Sequence, residues 1–324
     1  MSFRGCLWLG VVLPWLGSGC SAPPAQGATR SFGACSAAAP LASNEPRSAS
    51  ALASAGAASA RGYPLVELSG TELRELESPL TGKQHRLLIA LPPSFRDEPG
   101  RRYPVLFVLD GQWDFPLVAT LSGGLRFDQV LPELLIVGLS WGGEHPNYDA
   151  LRADDYLPTR AKGHDGVEKG GGAPRFLAFL QESVFPLLER EYRADAEHRI
   201  IAGTSNGGLF ALYALFEKPE LFWGYVAISP NVGWDAQAIF ARERAFHAAH
   251  PALERRVWLS SGSAEWPDYL ARETGFFEQM KSSHYQGLAL EVYDVPGERH
   301  AGVKPEAYNR ALRFIAQPLL AAPR

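Results

Sequence analysis

The stretch Ile200-Ile201-Ala202-Gly203-Thr204-Ser205-Asn206-Gly207-Gly208-Leu209 constrains this chain more than any other. Its apolar start, Arg199–Ala202, suits a short buried strand, and Leu209–Phe216 has the spacing of a helix. Only a turn fits between them. Gly203 and Gly207 flank Ser205 at two residues on either side, giving G-x-S-x-G. A strand that turns straight into a helix brings those flanking positions together, where side chains would collide. Glycine removes the collision and tolerates strained dihedrals. Such a bend lifts the Ser205 hydroxyl to the carboxyl end of a sheet, at the N-terminus of the next helix. The free N–H groups there can stabilise a developing oxyanion. A glycine-rich turn with an incidental serine is the plainer alternative, and the partners decide between the two.

A serine needs a base to become a nucleophile. On such a bend the chain order is serine, then acid, then histidine. His247, His250, His284 and His300 follow Ser205. His300 lies in Val295-Pro296-Gly297-Glu298-Arg299-His300-Ala301-Gly302, between the last predicted strand and the last predicted helix, and is the expected base. His247 and His250 fall in a polar helical stretch, and His284 precedes a strand. The acid should follow the penultimate strand, Val257–Ser261. Glu265 stands there and is the expected partner of the imidazole, with Asp268 the alternative. Asn206 N–H is the expected first oxyanion donor. The second should come from Asp110-Gly111-Gln112-Trp113, where Gly111 permits close approach and the Gln112 N–H is the expected donor.

The rest of the chain alternates strand and helix. Leu73–Glu77 and His85–Leu91 read as strands joined by the Pro79-Leu80-Thr81-Gly82 turn. Val105–Leu109 and Leu134–Leu139 are continuous apolar runs, as strands buried on both faces require. Phe176–Glu191 is helical, Tyr225–Ser229 and Leu288–Val295 are strands, and Pro305–Ala316 closes the chain as a helix. Tyr148–Pro174 has weak periodicity and reads as a long loop, and Arg190–Arg199 as a solvated helix end. Strands separated by helices predict right-handed crossovers and a mostly parallel sheet with helices on both faces.

Residues 1–20 carry one arginine, a short apolar stretch broken by Pro14 and a small-residue end at Cys20, as an export signal does. The residues before Cys20 are like a bacterial lipobox, with Gly17 where leucine is usual. Either Cys20 is lipidated and tethers the protein to a membrane, or the chain is soluble and cut nearby. The expected location is therefore periplasmic or membrane-anchored. Residues 21–61, rich in Ala, Ser and Pro, read as a disordered linker, which leaves 62–324 as one catalytic domain. All three cysteines, Cys6, Cys20 and Cys35, lie before that domain, so it has no disulfide and no cysteine-based zinc site. The eight histidines form no H-E-x-x-H pattern and Gly170–Gly172 lacks a phosphate-loop ending, so no metal or other cofactor is expected. A net charge of -4 without a long Lys/Arg run argues against nucleic acid as partner.

With these pieces in place the chain resembles the esterase D-like branch of the α/β-hydrolases, and within it the bacterial ferric-siderophore (enterobactin) esterases and related acetyl and feruloyl esterases. The matching pieces are Tyr103-Pro104-Val105-Leu106-Phe107-Val108-Leu109-Asp110-Gly111, Arg152 with Asp155-Tyr156-Leu157-Pro158, and Gly170-Gly171-Gly172-Ala173. Gly203 to Tyr213 and Pro219-Glu220-Leu221-Phe222 through Ser229-Pro230 also match. The resemblance implies the α/β-hydrolase fold and metal-free hydrolysis of a small-molecule carboxylic ester. Thr204 and Asn206 depart from the His and apolar residue often found beside the nucleophile, and the acid is Glu where many relatives have Asp. In open α/β sheets the site lies beyond the carboxyl ends of the strands. Trp113, Trp141, Trp234 and Trp266 each follow a predicted strand closely, so four indoles are expected on one rim, suited to aryl or sugar groups. Arg152 is expected to meet an anionic or metal-chelated substrate. The expected activity is an exported serine ester hydrolase on siderophore, aryl or acylated-sugar esters. The rivals are an acyltransferase on the same scaffold and a non-catalytic siderophore- or glycan-binding lipoprotein.

Overall fold

The computed structural model describes Tyr63 and residues 66–321. The export signal, Cys20 and the Ala/Ser/Pro stretch 21–61 lie outside the described residues. The apolar run at 105–108 belongs to a strand, β3 (Tyr103–Val108), near the middle of an eight-stranded sheet. Its side chains alternate between two cores. Val105 and Phe107 face one, Leu106 and Val108 the other, and all four are buried. Each such side chain gains about 1.5–3 kcal/mol from leaving water. That gain is available on both faces only if helices cover both.

The strands before β3 are β1 (Thr71–Ser78) and β2 (Lys83–Ala90), a hairpin. After it come β4 (Leu135–Trp141), a small separate hairpin of β5 (Arg160–Lys162) and β6 (Glu168–Gly170), β7 (Ala194–Thr204), β8 (Gly224–Ile228), β9 (Arg256–Gly262) and β10 (Ala289–Val295). The large sheet runs in the order β1-β2-β4-β3-β7-β8-β9-β10. The strands from β4 through β10 pair in parallel, and β2 joins β4 antiparallel. The helices are α1 (Gly111–Phe127), α2 (Tyr148–Tyr156), α3 (Ala173–Phe179), α4 (Phe185–Glu191), α5 (Asn206–Glu217), α6 (Trp234–Ala249), α7 (Pro267–Ser282) and α8 (Lys304–Ala321). Residues of α1 and α8 fill one core, and residues of α3 to α7 fill the other. The expected α/β-hydrolase architecture is therefore present. The chain leaves β3 through α1 toward β4 on one side, and β7 lies on the other. The crevice at this switch point is where a ligand site is expected.

Three expectations are corrected. Tyr148–Pro174 is not a loop: it holds α2 and the β5–β6 hairpin. Asn147 caps α2 by accepting from Ala150 N at 3.1 Å. The buried residues of α2 are Ala153, Asp155 and Tyr156, a half-polar set that hides the helical period. Phe176–Glu191 is not one regular helix, because a π-turn at Leu180–Val184 separates α3 from α4. Pro186 has no N–H to offer the carbonyl of Glu182, so the α ladder cannot continue unbroken. Residues 194–199 are not a helix end but the polar start of β7, where Ala194 pairs with Tyr103 ahead of a register shift.

Candidate active site

Ser205 sits between β7 and α5 with φ 60° and ψ −119°, a conformation that costs a non-glycine residue of order 1–3 kcal/mol. The surroundings hold it there. Ser205 N donates to Ile228 O at 3.0 Å, and Ser205 O accepts from Leu209 N at 2.9 Å and Asn231 N at 3.0 Å. Gly203 has to be glycine, since a Cβ there would lie 2.5 Å from the Gly207 carbonyl carbon. The collision expected from the sequence is thus present in the backbone.

The loops after β9 and β10 are stitched together. Ser263 N donates to Val295 O and Ala264 N to Glu298 O, both at 2.9 Å, and Gly297 N donates to Ser263 Oγ at 2.8 Å. Parallel pairing of β9 with β10 sets this register, with Gly262 opposite Val295. It brings His300 Nδ1 to 2.8 Å from Glu265 Oε1, and the Glu265 side chain is fully buried. A carboxylate only accepts, so Nδ1 carries the proton and Nε2 is left free. Glu265 is thus the carboxylate on His300, whereas Asp268 is exposed in the first turn of α7. Lys304 and Tyr308 of α8 bond the buried Asp114 of α1 at 2.7 and 2.8 Å. Those bonds anchor the segment that follows His300.

Tyr269 links the histidine to the serine. Its ring meets His300 edge-on at 5.1 Å, and its hydroxyl is near enough to Ser205 for the serine to influence its titration. That hydroxyl donates to Ser229 O at 2.9 Å, and burial pushes its pKa up, so it stays a donor. One turn along α7, Glu273 is fully buried and neither carboxylate oxygen has a partner. Glu265 Oε2 is also buried without one. Burial, with the negative charges of Glu265 and Asp294 nearby, raises the Glu273 carboxyl to about 9. Glu273 is therefore neutral at pH 7, and Glu265 has no second anion beside it on α7.

The first turn of α1 opens beside the same bend. Asp110 has φ 55°, its N–H donates to Tyr156 at 3.0 Å, and its carboxylate holds Arg152 Nε and one Nη at 2.8 and 2.7 Å. Burial pushes the Asp110 carboxyl up while the Arg152 fork pulls it back. A Cβ on Gly111 would lie 2.7 Å from the Gly138 carbonyl carbon, so glycine alone lets α1 start this close to β4. The Gln112 side chain accepts from Ser140 Oγ at 2.9 Å. Gln112 N–H and Asn206 N–H both lie in first helical turns, where the backbone has no intrahelical acceptor.

A cleft of about 650 Å³ reaches Asn206, the residue after Ser205. Asn206, Asn231, Tyr269, Arg152, Trp234 and Arg272 line it, and Asn231 Nδ2 donates to Asn206 Oδ1 at 2.8 Å. Arg152 and Trp234 both line the cleft, with the Arg152 guanidinium held by Asp110. Trp113 is exposed beside Arg152, at 5.8 Å, and Trp266 is exposed at 5.6 Å from His300. Trp141 is not on the rim. It is 1% exposed, and its Nε1 donates to the buried Asp155 at 2.7 Å. It is the last residue of β4 itself, with its side chain buried in the core. Tyr269, Asn231 and Arg272 were missed because helical or loop placement gave them no motif of their own.

The model of the Esterase family, described as "Putative esterase", matches residues 78–301. The chain belongs to this family. The ferri-bacillibactin esterase BesA of Bacillus subtilis is 29% identical over 271 residues, covering 78% of this chain and 91% of the relative. The apo-salmochelin esterase of Escherichia coli O6:H1 is 25% identical over 252 residues, covering 72% and 75%. The crystal structure of the BES protein from Bacillus cereus superposes with a TM-score of 0.70 at 27% identity, covering 78% of this esterase and 97% of that chain.

Proposed function

We propose that this esterase is a serine carboxylic-ester hydrolase that cleaves siderophore esters through an acyl-enzyme on Ser205. The observation that carries the mechanism is the bonded His300–Glu265 pair, held against Tyr269, whose hydroxyl donates to Ser229 O beside the β8 carbonyl that holds Ser205 N. Ser205 Oγ attacks the ester carbonyl and its proton passes to His300 Nε2. Glu265 fixes the tautomer and stabilises the imidazolium that forms. The tetrahedral oxyanion sits on Gln112 N–H and Asn206 N–H. The C–O bond to the alcohol then breaks, His300 returns the proton to the leaving oxygen, and water repeats the cycle on the acyl-enzyme. Trp113, Trp234 and Trp266 offer flat apolar faces to aryl groups of the substrate, with Arg152 beside Trp113. The siderophore assignment rests on relatives named for ferri-bacillibactin and salmochelin. Export, through the segment ending at Cys20, would place the enzyme where chelated iron enters the cell.

Fluorophosphonate labelling tests the nucleophile, and an ester panel tests the substrate. The expected result is one label on Ser205, lost in Ser205→Ala and strongly reduced in His300→Ala, with turnover of catecholate trilactones. Labelling that survives Ser205→Ala would overturn the mechanism. Preference for acetylated or feruloylated sugars would overturn the substrate.

A further inference from the structure

The cations around the cleft are not equivalent. Arg152 is neutralised by the two-point bond to Asp110, and Lys169 by Asp165 at 3.1 Å. Asp149 stands near Arg152, and Asp235 completes the acidic part of the lining. Lys162 of β5 also lines the cleft with no carboxylate partner among the described residues, but it is exposed to water, whereas Arg272, on α7 one turn beyond Tyr269, is half-buried. Its Nε is buried with no acceptor, and no carboxylate of the described residues pairs with its guanidinium. The side chain is pressed against the backbone of Gly233, where a Cβ would come within 2.8 Å of Nε and 3.1 Å of Cδ. A guanidinium in the lining of a cleft, with one donor already out of water and unsatisfied, carries a desolvation cost that an unliganded protein does not recover. Its planar fork matches two anionic oxygens held side by side.

We infer that Arg272 is an anion-receiving subsite for the substrate, binding a pair of adjacent anionic oxygens of the carboxylate or catecholate type while Ser205 meets the ester carbonyl. Tyr269 and Arg272 lie three residues apart on α7 and both line the cleft, so reacting group and anion are read from one helix face. The inference rests on the esterase reading but is tested apart from it.

Three esters separate the possibilities: neutral 4-nitrophenyl butyrate, the carboxylate-bearing 4-nitrophenyl hemisuccinate, and a ferric catecholate trilactone. In Arg272→Met, the ratio of kcat/KM for an anionic ester to that for butyrate is expected to fall about tenfold to a hundredfold, as loss of a charge-assisted hydrogen bond implies, mainly through KM. Arg272→Lys keeps the charge without the fork and should fall less. Which ester responds tells carboxylate from catecholate. Ratios within about twofold of wild type for both anionic esters overturn the inference, as does an equal loss on all three esters, which marks a structural role. Binding is read without turnover by tryptophan quenching of Ser205→Ala protein with the ferric trilactone. Addition of Arg272→Met should weaken the Kd about tenfold or more, and an unchanged Kd overturns the subsite. If the wild type cleaves none of the esters while the Ser205→Ala comparison still shows the shift, the esterase reading fails and the subsite stands.

Discussion

Glu273→Gln removes a buried carboxyl whose oxygens have no partner and keeps its shape. In the folded chain this carboxyl titrates at about 9, against 4.5 in an unfolded one. A raised native pKa favours the protonated form. Its contribution is fully present below pH 4.5 and is lost steadily as pH rises toward 9. At pH 7.5 the unfolded carboxylate is ionised and the native one is not. Three pH units above the unfolded value, at 1.36 kcal/mol each, correspond to about 4 kcal/mol of stability lost to this one group. Glutamine does not titrate, so the variant should gain on the wild type as pH rises. Between pH 5 and 7.5 the expected gain is about 3 kcal/mol, or roughly 6–12 °C in Tm for a domain of this size. Thermal or urea unfolding of both proteins at matched pH values reads the difference, and titrating groups remote from Glu273 cancel. A Tm difference that stays constant from pH 5 to 8.5 would refute the idea that Glu273 is held neutral beside Glu265.

Other outcomes are equally specific. Glu265→Gln should lower kcat by about three to four orders of magnitude with little change in KM, whereas Asp268→Asn should stay within about twofold in steady-state assays, because only Glu265 bonds His300. Lys304→Met leaves the buried Asp114 with Tyr308 alone; a loss of about 3 kcal/mol or more in denaturant unfolding is expected, with a fall in kcat as the His300 segment loosens. Gly111→Ala forces a Cβ against the Gly138 backbone, so it should lower Tm and kcat together, and an alanine variant with full activity would show that α1 has room to move.

The bend at Ser205 was legible because its causes are local. An apolar strand, two glycines and an apolar helix within fifteen or so residues leave one steric solution, and the Gly203–Gly207 approach is that solution. Apolar runs likewise located the strands of the sheet, since burial on both faces leaves no room for polar alternation. His300 was reachable from chain order together with its place between the last predicted strand and the last predicted helix. The choice between Glu265 and Asp268 was not, because it depends on how the loops after β9 and β10 are stitched, and parallel register is a long-range property. For the same reason Trp141, read from the sequence as following a strand like the other three indoles, is the last residue of β4 and lies in the core, and α2 hid its helix behind buried Asp155. Arg272 and Glu273 are neighbours in the chain with no motif between them. One lines the cleft without a counter-charge and the other is enclosed beside the carboxylate of His300, because a helix turns about 100° per residue and its packing against the sheet assigns each side chain its surroundings.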